Sequence, residues 1–280
     1  MSTNPLSIYM RQPKIYIRLP SNGQYWEPGS LEVSETGEYP VYSMTAKDEL
    51  ALKIPDALMN GQAVVDVIQH CVPNIKNAWN CPSIDVDMIL IAIRLATYGE
   101  MMSTPVKIKD LELEYQIDLR TIMDQLTTQI NWVPVIPVND ELTIFVKPLT
   151  YRHISKAAIQ SFETQKIMNV VNDEKMSDEQ KLELFKESFN KLTDVTVGTI
   201  AASIYKIDTS QGSTDNPKFI KEWVTNLEKA DFDIIDRGIK DLMNMGVSKE
   251  MHLKCENCGA EFTSAINFNP SDFFAQGLPS

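Results

Sequence analysis

The segment SIDVDMILIAIRLATYG, residues 83–99, constrains the fold more than any other part of the chain. Acidic residues near its start and Gly99 at its end are typical of a helix that is closed by a left-handed glycine. Apolar side chains occupy nearly every side of this helix, and Arg94 alone interrupts them. A helix that is apolar all round lies in the middle of a fold. We therefore predict a central helix over about residues 84–98 whose isoleucines are closed to solvent: Ile89, Ile91 and Ile93.

The regions on either side of this helix mix strand and helix patterns. Residues 15–19 alternate apolar with polar or basic side chains, which predicts a half-buried strand. Residues 119–130 have the spacing of a helix. Residues 132–138 and 142–149 are candidates for the two strands of a hairpin, with Asn139–Asp140 at the turn.

Helical spacing dominates residues 151–246. Ser177 and Gln180 match a capping box that would start a helix, and this helix carries an apolar stripe at intervals of three and four. The plainer interpretation of the aromatic residues in this region is a local helical core. The alternative is a groove that binds a helix of a partner. The aromatic residues concerned are Phe162, Phe185, Phe189 and Trp223, and the apolar stripe consists of Leu182, Phe185, Phe189 and Leu192.

These patterns predict an α+β protein in three parts. The first part, residues 1–150, is an α+β domain that contains strands and the buried central helix. Residues 151–246 form a helical subdomain. Residues 247–280 form a C-terminal β-hairpin and tail that carry a Cys-x-x-Cys turn. A chain of 280 residues can bury a real core as one large domain or as two modest ones.

The charge balance argues against two classes of partner. The chain has 26 basic and 38 acidic side chains, and its formal net charge is −12. Nucleic acids and anionic membrane surfaces are bound through lysine and arginine, so we expect neither as a partner. We find no secretory signal in the opening residues, and four cysteines make no disulfide framework. We therefore expect a reducing cytoplasm.

The single Cys-x-x-Cys unit of the chain is Cys255–Cys258, followed by Gly259. A structural zinc site needs four ligands; this unit supplies two, and His252 is a conceivable third. Cys71 and Cys81 would complete the set only if the fold brought them close. A redox pair would need the motif at the start of a helix, whereas a strand-like segment follows it here. We favour a tight turn with packed thiols, and zinc and redox chemistry stay open as alternatives.

Nothing in the sequence indicates a catalytic centre. The chain has three histidines, His70, His153 and His252, and none lies in a nucleophile motif. His70 precedes Cys71, but neighbours on a helix do not face each other, so a packed histidine is preferred to a Cys–His pair. Asp85 is interpreted as a solvated residue of a first helical turn. We therefore expect no enzymatic activity and no cofactor, zinc at the Cys-x-x-Cys unit being the one alternative.

Five short stretches gain meaning from their order along the chain. They read IRLPSNGQYW, YSMTAKDEL, PDALMNGQAVVDVIQHCV, SIDVDMILIAIRLATYGE and the closing CENCGAEF…INFNPSDFF. In this order they resemble the T4-type baseplate hub family of contractile-tailed phages. That family has a Leu-Pro-Ser-x-Gly opening, a helix that ends in Tyr-Gly, and a closing Cys-x-x-Cys-Gly turn with Phe-Phe. The resemblance covers about residues 17–99 and 252–274.

The resemblance implies a non-enzymatic structural or assembly protein of the tail baseplate hub. Its implied partners are other phage tail or baseplate hub proteins, with a second copy of the chain as a further option. Its implied location is the host cytoplasm during assembly and the virion tail baseplate. Two alternatives stay open: a cytoplasmic tail-assembly chaperone that is absent from the mature virion, and a small zinc or redox protein built around Cys255 and Cys258.

Large aromatic residues near both ends of the chain are candidates for contacts with a partner. Aromatic side chains dominate interface energies when they fill a pocket. The alternative is that they hold the two ends on the protein's own core. The candidates are Tyr25, Trp26, Phe273 and Phe274.

Overall fold

The chain forms two compact units. Unit one comprises Met1–Ile130 and Met245–Ser280, and unit two comprises Asn131–Asn244. In sequence, unit two therefore stands between the two segments of unit one. The structure is a computed structural model, and it describes residues 6, 10–54, 61–108, 111–128, 134–171, 177–243, 250–254, 261–265 and 273–274.

Unit one combines helices with short antiparallel strand pairs. The predicted strand near residues 15–19 is present, and so is the predicted helix that begins at Leu119. The elements that precede unit two are β1 (Ile15–Ile17), β2 (Tyr39–Val41), α1 (Ala46–Leu52), α2 (Gln62–Cys71), α3 (Ser83–Tyr98), β3 (Met101–Ile108), β4 (Leu111–Asp118) and α4 (Leu119–Thr128). β1 pairs with β2, and β3 pairs with β4.

Helix α3 is the centre of unit one. It contacts β1, β2, α2 and α4. Ile89, Ile91 and Ile93 have no exposed surface, which confirms their predicted burial. Asp85 and Arg94 are buried as well. The expectation that Asp85 faces solvent is therefore wrong, because the segment after β1 covers the first turn of α3.

Unit two is built on a four-stranded antiparallel sheet with the order β5-β6-β7-β8. The strands are β5 (Val135–Asn139), β6 (Leu142–Val146), β7 (Ile204–Thr209) and β8 (Gly212–Thr214). The predicted hairpin is present as β5 and β6, and its turn joins Asn139 to Leu142. The helices are α5 (Tyr151–Val171), α6 (Asp178–Ser203), α7 (Pro217–Thr225) and α8 (Lys229–Met243).

Residues 204–214 differ from the helical pattern expected over 151–246. They form β7 and β8, because β7 pairs with β6 and joins the predicted hairpin in one sheet. The compact unit accordingly begins at Asn131 and takes in that hairpin. The division into domains at 1–150, 151–246 and 247–280 stays a prediction.

The core of unit two is rich in isoleucine. Helix α8 approaches the sheet closely at Gly238, where an added β-carbon would lie 2.7 Å from Ile136 Cδ1 and 3.0 Å from its Cγ1. Glycine is therefore the residue that lets α8 pack on β5. The buried members of the core are Ile136, Ile144, Val146, Ile200, Ile204, Ile207, Ile220, Val224, Ile235 and Ile239.

Two further strands belong to unit one. β9 (Glu250–Lys254) and β10 (Glu261–Ala265) pair antiparallel, with Lys254 opposite Glu261. Cys255 and Cys258 lie outside the described residues, so the predicted hairpin with its Cys-x-x-Cys turn stays a prediction. No helix within the described ranges is long and apolar enough to cross a membrane.

Candidate interaction surface

Asp85 fastens the first turn of α3 to the amino-terminal segment. The backbone N–H and the hydroxyl of Ser21 donate to its carboxylate oxygens at 2.8 and 2.5 Å. The indole N–H of Trp26 donates to the same carboxylate at 2.9 Å. Asp85 has no exposed surface, so these donors replace the water that the carboxylate loses on burial. Asp85 thereby holds the segment from Leu19 to Trp26 on the core.

The segment that Asp85 holds has an unusual backbone. Asn22 and Tyr25 have positive φ angles of 51° and 66°. Gly23, between them, has φ 77°, and its N–H donates to the Ser21 hydroxyl at 3.1 Å. A left-handed conformation is costly for tyrosine and persists where the surrounding contacts fix it. The Leu-Pro-Ser-x-Gly stretch therefore folds around the carboxylate of Asp85.

The pKa of Asp85 and its contacts are consistent with a residue that holds two segments of the chain together. Burial raises its pKa to about 6, while the hydrogen bonds from Ser21 and Trp26 lower it. A raised carboxyl pKa in an open cleft marks candidates for acid–base catalysis. Here both carboxylate oxygens are bonded to donors of the chain itself, inside the core. We therefore assign Asp85 a structural role.

Arg94 holds the carboxy-terminal segment on the same helix. Its Nη1 donates to the backbone carbonyl of Phe273. Its guanidinium lies 5.2 Å from the ring centre of Phe273 and 5.4 Å from that of Tyr98. Burial lowers the pKa of Arg94, against a smaller effect of Tyr98. One helix therefore binds both ends of unit one, through Asp85 and through Arg94.

The predicted aromatic anchors have inward contacts in this structure. Phe273 and Phe274 are 1% and 4% exposed and meet edge to face, with ring centres 5.4 Å apart. Trp26 is partly buried against Asp85, and Tyr25 is partly buried in the segment that Asp85 holds. These contacts agree with the alternative that the aromatics hold the ends on the core. Their contact with another protein stays a prediction.

Sequence reasoning assigned Asp85 and Arg94 no partner, although a signal was present. A charged side chain in an otherwise apolar helix needs a compensating partner, because burying an unpaired charge is very costly. That rule indicates that partners exist but does not identify them. Ser21, Trp26 and Phe273 are far away in sequence, and only the fold brings them to α3.

His70 and Cys71 do not form a nucleophilic pair. His70 Nδ1 lies 2.8 Å from a carboxylate oxygen of Asp48, and its ring is partly exposed and not packed. Cys71 is buried; burial and the nearby Asp48 carboxylate raise the pKa of its thiol to about 12, against a smaller effect of Arg11. Arg11 donates to the carbonyls of Ser43 and His70 at 2.5 and 2.6 Å. A thiol that stays protonated is not a nucleophile.

The remaining metal-ligand candidates do not come together in the part of the chain that the structure describes. Cys71 and Cys81 are buried free thiols, and burial raises the pKa of Cys81 well above its usual value. His252 lies in β9. Among the described residues, no three His, Cys, Asp or Glu side chains form a metal cluster. The tentative site at Cys255 and Cys258 lies outside these residues.

Helix α6 exposes the apolar stripe that the sequence predicts. We name this stripe the α6 apolar row: Leu182, Phe185, Phe189 and Leu192, which are 54%, 44%, 60% and 36% exposed. α6 packs on α5, and Ser188 of α6, which is not part of the row, is only 3% exposed. The Ser188 hydroxyl finds no hydrogen-bond partner among the described residues. The helix therefore buries a serine and leaves two phenylalanines open.

The interpretation of this stripe as a local helical core is wrong for the chain as described. Trp223 does pack against the core of unit two, but Phe162 is 41% exposed. Contiguous exposed apolar side chains mark surfaces that contact other proteins. The α6 apolar row is therefore the candidate interaction surface.

An apolar row that is open to contact is typical of proteins that work by binding other proteins. A family model described as T4 bacteriophage base plate protein matches residues 10–275, and the chain belongs to this family. It is a phage baseplate structural protein, and the family implies contacts with other baseplate proteins and association with the virion tail baseplate. Searches of curated proteins and of solved structures gave no match.

Proposed function

We propose that the chain is a non-enzymatic component of the tail baseplate hub and acts through contacts with other hub or tail proteins. The family match over residues 10–275 carries the proposal. The ordered sequence stretches that resemble the T4-type hub family support the hub as the part of the baseplate. The chain joins the hub during assembly in the host cytoplasm.

The contacts of the buried charged side chains and the exposure of the α6 apolar row support a function that depends on binding other proteins. The two buried charges of α3, Asp85 and Arg94, bind other segments of the chain itself. The α6 apolar row faces outward from a different unit. A protein that keeps its buried polar groups for its own fold and exposes apolar surface is suited to assembly and not to turnover.

Particle analysis tests the proposal. Purified virions and baseplate intermediates are probed for the chain, and phage that lack it are examined for the particles that accumulate. We expect the chain in hub-containing intermediates, and we expect baseplates without a completed hub when it is missing. Intact hubs in its absence would refute the proposal. Its presence in intermediates but not in virions would select the assembly chaperone.

A small zinc or redox protein is the second candidate, and the Cys-x-x-Cys motif is the observation that favours it. The test is metal analysis of the full chain, purified under reducing conditions, together with the double variant Cys255→Ser, Cys258→Ser. We expect less than one equivalent of zinc and a fold that survives the double substitution. One tightly bound zinc per chain, with loss of structure on its removal, would favour this candidate instead.

A further inference from the structure

The segment that Asp85 holds contains a tight turn over residues 21–24, with the sequence Ser-Asn-Gly-Gln. The backbone N–H of Gln24 donates to the carbonyl of Ser21 at 3.0 Å. The two central residues, Asn22 and Gly23, have positive φ angles of 51° and 77°. A hydrogen-bonded turn with positive φ at both central positions is of type I′, for which Asn-Gly is a preferred pair. Asn22 is also exposed, so water reaches its side-chain amide.

Asn-Gly is also the dipeptide at which asparagine most readily loses its amide group, because glycine has no β-carbon to obstruct the attack. The backbone nitrogen of Gly23 gives up its proton and forms a bond to Cγ of Asn22. The bond from Cγ to Nδ2 breaks, and the amide nitrogen leaves as ammonia. Water then opens the five-membered imide at either of its carbonyl carbons. The products are aspartate and isoaspartate, and isoaspartate has one more carbon in its main chain.

The folded turn keeps the two reacting atoms apart. The first central residue of a type I′ turn has a ψ angle of about +30°, the mirror image of the type I value. At this angle the nitrogen of Gly23 lies nearly opposite the β-carbon of Asn22 across the Cα–C bond, whereas ring closure needs both on the same side. The Gly23 N–H also donates to the Ser21 hydroxyl at 3.1 Å, and this bond must break before the nitrogen can react.

The same serine connects the turn to the core of unit one. The Ser21 hydroxyl accepts from the Gly23 N–H and donates to the carboxylate of Asp85. Beyond the turn, the indole N–H of Trp26 donates to the same carboxylate. The turn therefore cannot rearrange freely while Ser21 and Trp26 both stay bound to Asp85.

We propose that Asn22 is a deamidation site that the folded turn blocks, and that it is modified in chains whose amino-terminal segment has left α3. Isoaspartate at this position puts its extra main-chain carbon between Ser21 and Gly23. The modified segment then no longer has the spacing with which Ser21 and Trp26 bind Asp85. The inference concerns the chain alone and does not depend on the proposed function.

The experiment follows deamidation at Asn22 in the full chain by peptide mass spectrometry, in mildly alkaline buffer with and without urea. The chain carries its own reference, because residues 60–62 repeat the Asn-Gly-Gln sequence of residues 22–24. In urea the two Asn-Gly steps should react at similar rates. Without urea Asn22 should react at least about tenfold more slowly than in urea, because the turn must first open.

Two variants loosen the turn in different ways. Ser21→Ala removes the acceptor of the Gly23 N–H, and Trp26→Phe removes a donor to Asp85 without changing the turn itself. Each should raise the rate at Asn22 without urea at least about threefold, because the net contribution of one hydrogen bond is lost. The control is Ser34→Ala, in the loop before β2, and it should leave the rate unchanged. Circular dichroism checks that each variant folds.

Two results would overturn the inference. The first is a rate at Asn22 that is the same with and without urea, which needs no variant to be measured. The second is a rate in folded Ser21→Ala that is no higher than in Ser34→Ala. Both are properties of the purified chain, so they leave its presence in hub particles to be decided separately.

Discussion

Burial changes the acidity of Asp85 enough to affect the folding equilibrium. Its pKa rises to about 6 in the folded chain from a usual value of 3.8. The folded state therefore holds this proton more tightly than the unfolded state does. The contribution of Asp85 to stability must fall as the pH rises from about 4 to about 6. A shift of roughly two units corresponds to about 3 kcal/mol.

The variant Asp85→Asn tests this pH dependence, because asparagine cannot ionise. Its stability relative to the unchanged chain should improve by about 3 kcal/mol between pH 4 and pH 7. The measurement is the urea midpoint at several pH values, with Asp66→Asn, an exposed carboxyl on α2, as the control. Parallel pH profiles for the unchanged chain and Asp85→Asn would show that burial does not perturb this group.

The contacts of Arg94 lead to a prediction about how firmly Phe273 and Phe274 are held on α3. This effect is separate from the overall stability of the chain. Arg94→Met keeps an unbranched side chain in the core but removes the hydrogen bond to the Phe273 carbonyl and the cation–π contact. The variant avoids the cost of burying a cation, so its overall stability should change little. Amide hydrogen exchange at Phe273 and Phe274 should rise at least about tenfold, because the tie to α3 is lost.

The control for this change is Arg18→Met. The Arg18 guanidinium lies 3.2 Å from Glu38 in an exposed pair, and such pairs contribute little. Exchange at Phe273 and Phe274 should stay unchanged in this variant. Unchanged exchange in Arg94→Met as well would mean that the aromatic rings alone hold the segment.

Two glycines in helices make a matched pair with opposite expected effects. Gly238→Ala places a β-carbon against Ile136, so α8 must move away from β5, and we expect a loss of about 1–3 kcal/mol. Gly198→Ala, in α6, meets no atom within 4 Å and should gain about 0.5–1 kcal/mol from helix propensity. The measurement is the denaturant midpoint of each variant.

The double variant Gly238→Ala, Ile136→Ala identifies the cause. Removing the side chain that the new methyl group meets should make the cost of Gly238→Ala much smaller in that background. An equal cost in both backgrounds would mean that the clash with Ile136 is not responsible.

The sequence predicted α3 well and β7 poorly, for one physical reason. Nearly every face of α3 is apolar, so any fold that buries this much apolar surface must place α3 inside. The segment Ile204–Thr209 has no such restriction, because Ile204 and Ile207 also suit one face of a helix. What makes it a strand is pairing with β6, about 60 residues earlier in the chain.

The α6 apolar row shows the same limit of sequence-based prediction, here for a surface. Periodicity located the stripe correctly, because three-four spacing places its members on one side of a helix. Periodicity cannot tell whether the chain or a partner covers that side. The structure decided this, since the four side chains of the row are at least 36% exposed whereas Ser188 is 3% exposed.

Unit two should fold without unit one. It has its own isoleucine core and a sheet whose four strands all lie between residues 131 and 244. We expect a fragment of residues 131–244 to show mixed helix and strand by circular dichroism and a single cooperative thermal transition. A fragment without a cooperative transition would show that this unit depends on the rest of the chain.

The tie between Arg94 and Phe273 has a consequence for synthesis on the ribosome. The two residues are 179 positions apart, so Arg94 is made long before its acceptor exists. At bacterial or slower rates of roughly 5–20 residues per second, this interval lasts about 10–35 s. All of unit two is synthesised in that time. A newly made chain therefore contains the whole sequence of unit two before the residue that covers Arg94 of α3 exists.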